Sequence, residues 1–195
     1  MDALQALPRQ RLREELLRCC HSNAWADAVL ALAPFKSEEH ARNALDRCWN
    51  DLSPSDYLEA IAAHPAIGDK KELRDRFAPS RSGWEGEEQA ASAGASEAVL
   101  DELSDLNKAY RDKNGFVFLV CATGKPADAI LALLKARLPN DRETEIKNAV
   151  EEQRKITQLR FTRLLADTAA ADASAHVEVP FGRVCNRQSP ARSRL

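Results

Sequence analysis

His64 is followed by Pro65, and a histidine that ends a helix lies against the negative end of the macrodipole, which favours imidazolium. That suits a proton donor working near neutral pH. A capping or packing role is the plainer alternative. Ala66-Ile67-Gly68-Asp69 is a tight exit that could hold a ligand close to the backbone. Trp84-Glu85-Gly86-Glu87-Glu88-Gln89 is the second place with chemical capacity. Carboxylates at a helix start are ordinarily solvated dipole partners, but one beside an amide can also orient an imidazole and read a small polar ligand. Spacing alone does not choose between these roles. The third place is Arg160, four residues after Ile156 and four before Leu164, hence on an apolar helical stripe. A guanidinium there either snorkels to solvent or meets an anion.

Other chemistries lack their residues. No glycine-rich phosphate loop, HExxH or G-x-S-x-G elbow is present, and Lys125 after Gly124 lacks the rest of a P-loop. The cysteines, Cys19, Cys20, Cys48, Cys121 and Cys185, are odd in number and form no C-x-x-C. His21 beside Cys19 and Cys20 is not a zinc spacing. The expectation is therefore free thiols in a reducing compartment, mostly small buried hydrophobes, and no metal.

These residues need helices to position them. Leu12, Leu16, Leu17 and Cys20 recur at helical spacing, and Trp25, Val29, Leu30 and Leu32 continue after a break near Ser22-Asn23. Pro34 stops that segment. Ser37 opens another with Ala41, Ala44, Leu45, Cys48 and Trp49 on its apolar side. Ser53-Pro54 reads as an N-cap and first-position proline, starting a helix that must end near His64 because Pro65 expels its predecessor from the α region. Pro79 and Ser80-Arg81-Ser82-Gly83 signal a loop, after a short possible helix at Asp69–Phe77. Helical spacing resumes near Glu87 and runs through Val99, Leu100, Leu103, Leu106 and Tyr110 to a left-handed cap at Asn114-Gly115. Phe116–Ala122 is the one β-flavoured run, with no partner strand, and reads as a buried extended or helical segment. Ala127–Leu138 is a helix stopped by Pro139, and Asp141 opens the longest segment. The outcome is an all-α, single-domain multi-helix bundle over residues 1–167, with a flexible, disordered tail at 168–195.

Composition agrees. The chain has 195 residues, 44% hydrophobic and 30% charged, enough to bury one core and cover it. A net charge of -2 offers no basic field for nucleic acid. No apolar run approaches the roughly 20 residues a membrane span needs, and the early charges Arg9, Arg11, Arg13, Glu14 and Glu15 do not suit a secretory signal.

Together the motifs resemble one family. His64-Pro65-Ala66-Ile67-Gly68-Asp69, Glu88-Gln89 with Ala93-Gly94, Asn107–Tyr110 leading into Asn114–Ala122, and Ile156–Leu159 leading into Arg160 look like the OHCU decarboxylase family, which acts on 2-oxo-4-hydroxy-4-carboxy-5-ureidoimidazoline in urate degradation. Cys19-Cys20-His21-Ser22 and Pro34-Phe35 resemble its plant and algal members. The resemblance runs over about residues 10–167. It implies an all-helical, usually homodimeric, cofactor-free carboxy-lyase that releases CO2 and protonates the product to (S)-allantoin. On the matching positions His64 is the implied proton donor, Glu88 its orienting partner, and Arg160 the holder of developing negative charge. Gln89 and the main chain of Phe118, Leu119, Val120, Cys121 and Ala122 are implied to read ring and ureido amides, with Pro65 shaping the pocket wall.

The chain departs from that pattern in two places. The stretch from Asp69 to Glu88 is longer than in many members. Glu85 or a neighbour stands where many relatives carry a hydroxyl residue, which weakens the substrate contacts expected of Glu85. Many plant relatives continue into a transthyretin-like hydroxyisourate hydrolase domain, whose activity is expected to be absent here. Ser193-Arg194-Leu195 is similar to the Ser-Lys-Leu peroxisomal address, so peroxisomal import through the matching receptor is expected, with the cytosol as alternative. The competing functional readings are an inactive helical interaction module on the same scaffold and a different cofactor-free lyase.

Overall fold

The computed structural model describes residues 1–65 and 96–175. Among them every regular element is an α-helix: α1 (Asp2–Gln5), α2 (Arg9–Cys20), α3 (Asn23–Ala31), α4 (Glu38–Asn50), α5 (Pro54–Ala62), α6 (Glu97–Asn114), α7 (Ala127–Arg137) and α8 (Arg142–Ala175). The caps follow the sequence signals. Ser22, Ser37, Ser53 and Ser96 each accept a hydrogen bond from a backbone N–H in the first turn of the following helix, and Gly115 closes α6 with φ 78°. Glycine reaches that left-handed conformation without the steric cost a Cβ brings.

α8 is the spine, packed against α1, α2, α4, α5 and α6. Two apolar clusters lie along it. One joins α1 to α4, including Trp25, Phe35, Leu45 and Trp49, to Phe161 and Leu164 of α8. The other joins Leu103 and Tyr110 of α6, Phe116, Phe118 and Leu119, and Ile130 and Leu134 of α7 to Ala149 and Ile156 of α8. α5 stitches them, since Ala60 belongs to the first cluster and its neighbour Ile61 to the second.

Two expectations are refined. Phe116–Ala122 is not helical, and no strand pairs with it among the described residues. The tail expected from residue 168 begins instead as helix, because α8 continues to Ala175. Thr-Ala-Ala-Ala-Asp-Ala-Ser-Ala is rich in the best helix former and prolongs a helix already nucleated upstream. Thr168 and Ser174 return their hydroxyl protons to carbonyls of the preceding turn. The short helix at Asp69–Phe77, the loop at Pro79–Gly83 and the restart near Glu87 lie outside the described residues, as do Glu85, Glu88, Gln89 and Ser193-Arg194-Leu195.

Candidate active site

α5 delivers His64. Its start is held by a capping box, in which the Ser53 hydroxyl caps the Asp56 N–H while the Asp56 carboxylate accepts from the Ser53 N–H. Its exposed side is tied to the start of α3, where Asn23 donates to Glu59 Oε1 at 2.7 Å and to Oε2 through its backbone N–H at 3.2 Å. The helix closes with His64 N–H donating to Ile61 O, and Pro65 follows, exposed. A proline cannot continue the turn, so the imidazole stands at the helix end, half-buried.

There it meets α8. His64 Nε2 lies 2.6 Å from Gln153 Oε1. Gln153 is fully buried, and its Nε2 donates to Thr157 Oγ1 at 3.2 Å. Thr157 in turn hydrogen-bonds the Cys20 thiol. The His21 ring, left-handed at φ 62° as the C-cap of α2, stands edge-on to His64 with centroids 6.3 Å apart. Burial pushes the Cys19 and Cys20 thiols up to about 12, so both remain protonated. They behave as the small hydrophobes the composition suggested.

Arg160 continues the same face. Gln153, Thr157 and Arg160 follow the i, i+4, i+7 spacing of one helical stripe, two turns or about 10 Å from first to last. The guanidinium is only 2% exposed, so it does not snorkel. Its Nη1 lies 3.4 Å from the Arg18 carbonyl oxygen, and its charge acts on both buried thiols of α2. α2, which packs along α8, contributes to that burial.

The segment after α6 is anchored on the other flank. Cys121 N–H donates to Glu152 Oε2 at 2.7 Å, one residue from Gln153. Lys125 Nζ donates to Cys121 O at 2.7 Å, and Arg137 Nη1 donates to Leu119 O at 2.8 Å. The Arg137 guanidinium also lies over the Phe118 ring, 4.6 Å from its centroid. Arg137 is itself held by Glu145, fully buried, which accepts from Arg137 Nε at 2.8 Å, Tyr110 Oη at 2.5 Å, and Asn140 and Asn148 Nδ2 at 2.7 Å each. Burial pushes the Glu145 carboxyl up, but these donors and the Arg137 charge hold it below its ordinary value. Several main-chain groups expected to face a substrate therefore already have partners within the fold.

The structure thus brings His64 and Arg160 to one face of α8 and lays Phe118–Ala122 beside it. Gln153, Thr157 and His21 were missed by sequence reasoning. The stripe argument that singled out Arg160 would have found Gln153 and Thr157, which interrupt the same apolar face. A separate apolar cavity of about 180 Å³ lies among Leu4, Leu7, Leu12, Leu30, Pro34 and Phe35, and none of the groups above lines it. No group of three or more His, Cys, Asp or Glu side chains suited to a metal ion occurs among the described residues.

Fold and site together define an all-helical protein that sets an imidazole and a buried guanidinium along one central helix, an arrangement suited to acid–base work on an anionic small molecule. The family model for OHCU decarboxylase matches residues 5–162, and the chain belongs to that family. It is 37% identical over 153 residues to the uric acid degradation bifunctional protein TTL of Arabidopsis thaliana, covering 77% of this chain and 46% of that protein. It thus spans about half the length of that bifunctional relative. It is 30% identical over 149 residues to the 2-oxo-4-hydroxy-4-carboxy-5-ureidoimidazoline decarboxylase of Haloferax volcanii, covering 72% of this chain and 80% of that one. Among solved structures it superposes on an OHCU decarboxylase crystallised in the presence of (S)-allantoin, with TM-score 0.65, 32% identity, and coverage of 78% of this chain and 98% of the other.

Proposed function

We propose that the protein decarboxylates 2-oxo-4-hydroxy-4-carboxy-5-ureidoimidazoline to (S)-allantoin and CO2. The observation that supports this most is the placement of His64 and buried Arg160 on one face of α8 in a chain of the OHCU decarboxylase family. In this reading the C–C bond to the carboxylate breaks, CO2 leaves, and the electron pair stays on the ring carbon. Its charge spreads onto neighbouring polar atoms, and Arg160 stabilises it in a site where water is scarce. His64, as imidazolium, then delivers a proton from one side and sets the stereochemistry. Glu88 is assigned the orienting role for His64. Gln89 is assigned to the substrate amides, with Pro65 as pocket wall and Glu85 as a weaker contact.

The test is the circular dichroism of allantoin formed from substrate made in the cuvette by urate oxidase and hydroxyisourate hydrolase. Wild type accelerates growth of the (S)-allantoin signal. His64→Asn stays folded and loses roughly two to four orders of magnitude in turnover, the scale of general acid–base catalysis. No acceleration by folded wild type over the racemising background removes the reading, and undiminished turnover in His64→Asn removes His64 from it.

Homodimerisation and peroxisomal import belong to the same proposal. Sedimentation at micromolar concentration checks the first. A fluorescent fusion carrying Ser193-Arg194-Leu195, against one lacking Leu195, checks the second, with a cytosolic signal from both as the contrary result.

A further inference from the structure

The hydrogen bonds around Gln153 determine which nitrogen of His64 carries a proton. Thr157 Oγ1 donates to the Gln153 main-chain carbonyl at 2.9 Å, the usual return bond of a helical threonine. A hydroxyl has one proton and two acceptor sites, so toward its other neighbours Oγ1 accepts. The neighbour on that side is Gln153 Nε2, at 3.2 Å. The Gln153 amide nitrogen therefore faces Thr157, and its oxygen faces His64 Nε2 at 2.6 Å. Turning the amide over would set two acceptors, Oε1 and the carbonyl, against a single hydroxyl proton. An amide oxygen only accepts, so the His64 nitrogen facing it must be Nε2–H.

We propose that Gln153 is the positioning residue of the proton donor, holding His64 as the Nε2–H form. This rests on the proposed function. A neutral amide serves both charge states of the ring, because Nε2 donates in each. The anchor is rigid, since Gln153 is fully buried on the helix that spans both cores.

The experiment is a long-range 1H–15N correlation on the uniformly labelled full chain, whose four histidines are few enough to assign His64 by its loss in His64→Asn. Under conditions where the ring is neutral, wild type gives the Nε2–H pattern. Gln153→Leu, close in volume, gives mixed tautomers and lowers kcat about 10- to 100-fold with KM within about twofold. Gln153→Glu keeps an acceptor facing Nε2 and so keeps the proton there, but its negative charge favours the imidazolium and kcat stays low. Thr157→Val leaves Gln153 in position but releases its amide, and produces a partial tautomer mixture that a purely space-filling Gln153 would not show. An Nδ1–H pattern in wild type, or an unchanged pattern in folded Gln153→Leu, overturns the proposal. A wild type with the Nε2–H pattern but no turnover overturns the catalytic assignment, and that of Gln153 with it, while the relay itself stands.

Discussion

α8 carries two polar clusters, and they differ in kind. Near its start, Glu145 gathers Tyr110, Arg137, Asn140 and Asn148. A carboxylate has about four acceptor sites, and four side chains donate to it, so the cluster closes on itself. Two turns further on, Gln153 and Thr157 form an uncharged line that ends on the imidazole of His64. The saturated, charged cluster holds Phe118 and Leu119 through Arg137 and so fixes a frame. The neutral line presents a titratable ring at a helix end. A group meant to exchange protons is better held by a neutral partner than by one that would lock its charge.

The difference can be broken most strongly at Arg137. Arg137→Met leaves the Glu145 carboxylate buried without its cation, and removing one partner of a buried pair costs about 3–5 kcal/mol. Urea denaturation measures this. His64→Asn, by contrast, is expected to leave the denaturation midpoint near wild type while abolishing most turnover. Comparable stability losses in the two variants would dissolve the distinction.

Acid titration sharpens it further. In wild type the folded Glu145 carboxyl titrates below its unfolded value. Its contribution is therefore complete above the unfolded value and fades as pH falls through the folded one. In Arg137→Met the cation is gone while burial still favours the protonated form, so acidification relieves a buried charge. The stability gap between the two proteins should narrow as pH is lowered through the carboxylate range. A gap constant with pH would show that Glu145 does not carry the effect.

Smaller changes probe single bonds. Tyr110→Phe removes one donor to a charged acceptor, worth about 1.5–3 kcal/mol, with a melting-temperature loss as readout and no change in the His64 tautomer. Ser53→Ala removes the cap of the helix that carries His64 and should cost about 1 kcal/mol. Turnover measured well below the melting temperature should then be unaltered. A large fall in activity there would mean that the start of α5, not Gln153, sets the imidazole.

Much of this was readable from residues in order. Ser53-Pro54, the His64-Pro65 stop and Asn114-Gly115 are local signals, and the helices begin and end where they indicate. Arg160 was legible as a candidate because a charge on an apolar stripe is anomalous, but its burial was not. Snorkelling is decided by whether neighbours cover the side chain, and that depends on packing across the fold. Phe116–Ala122 was ambiguous because an apolar run without a partner strand satisfies either backbone. Lys125, Arg137 and Glu152, each within about 31 positions of the segment they bond, take up main-chain groups that a helix would use itself. Gln153 escaped notice because its partner lies 89 residues away.

The sequence by itself determined the helical class, most helix ends and the family, because caps, prolines and periodic apolar positions act over a few residues. Only the tertiary structure decided that Arg160 is buried, that Glu145 and Arg137 brace the segment after α6, and that Gln153 meets His64. Burial and hydrogen-bond direction depend on which groups meet across the core, and long-range packing alone brings those groups together.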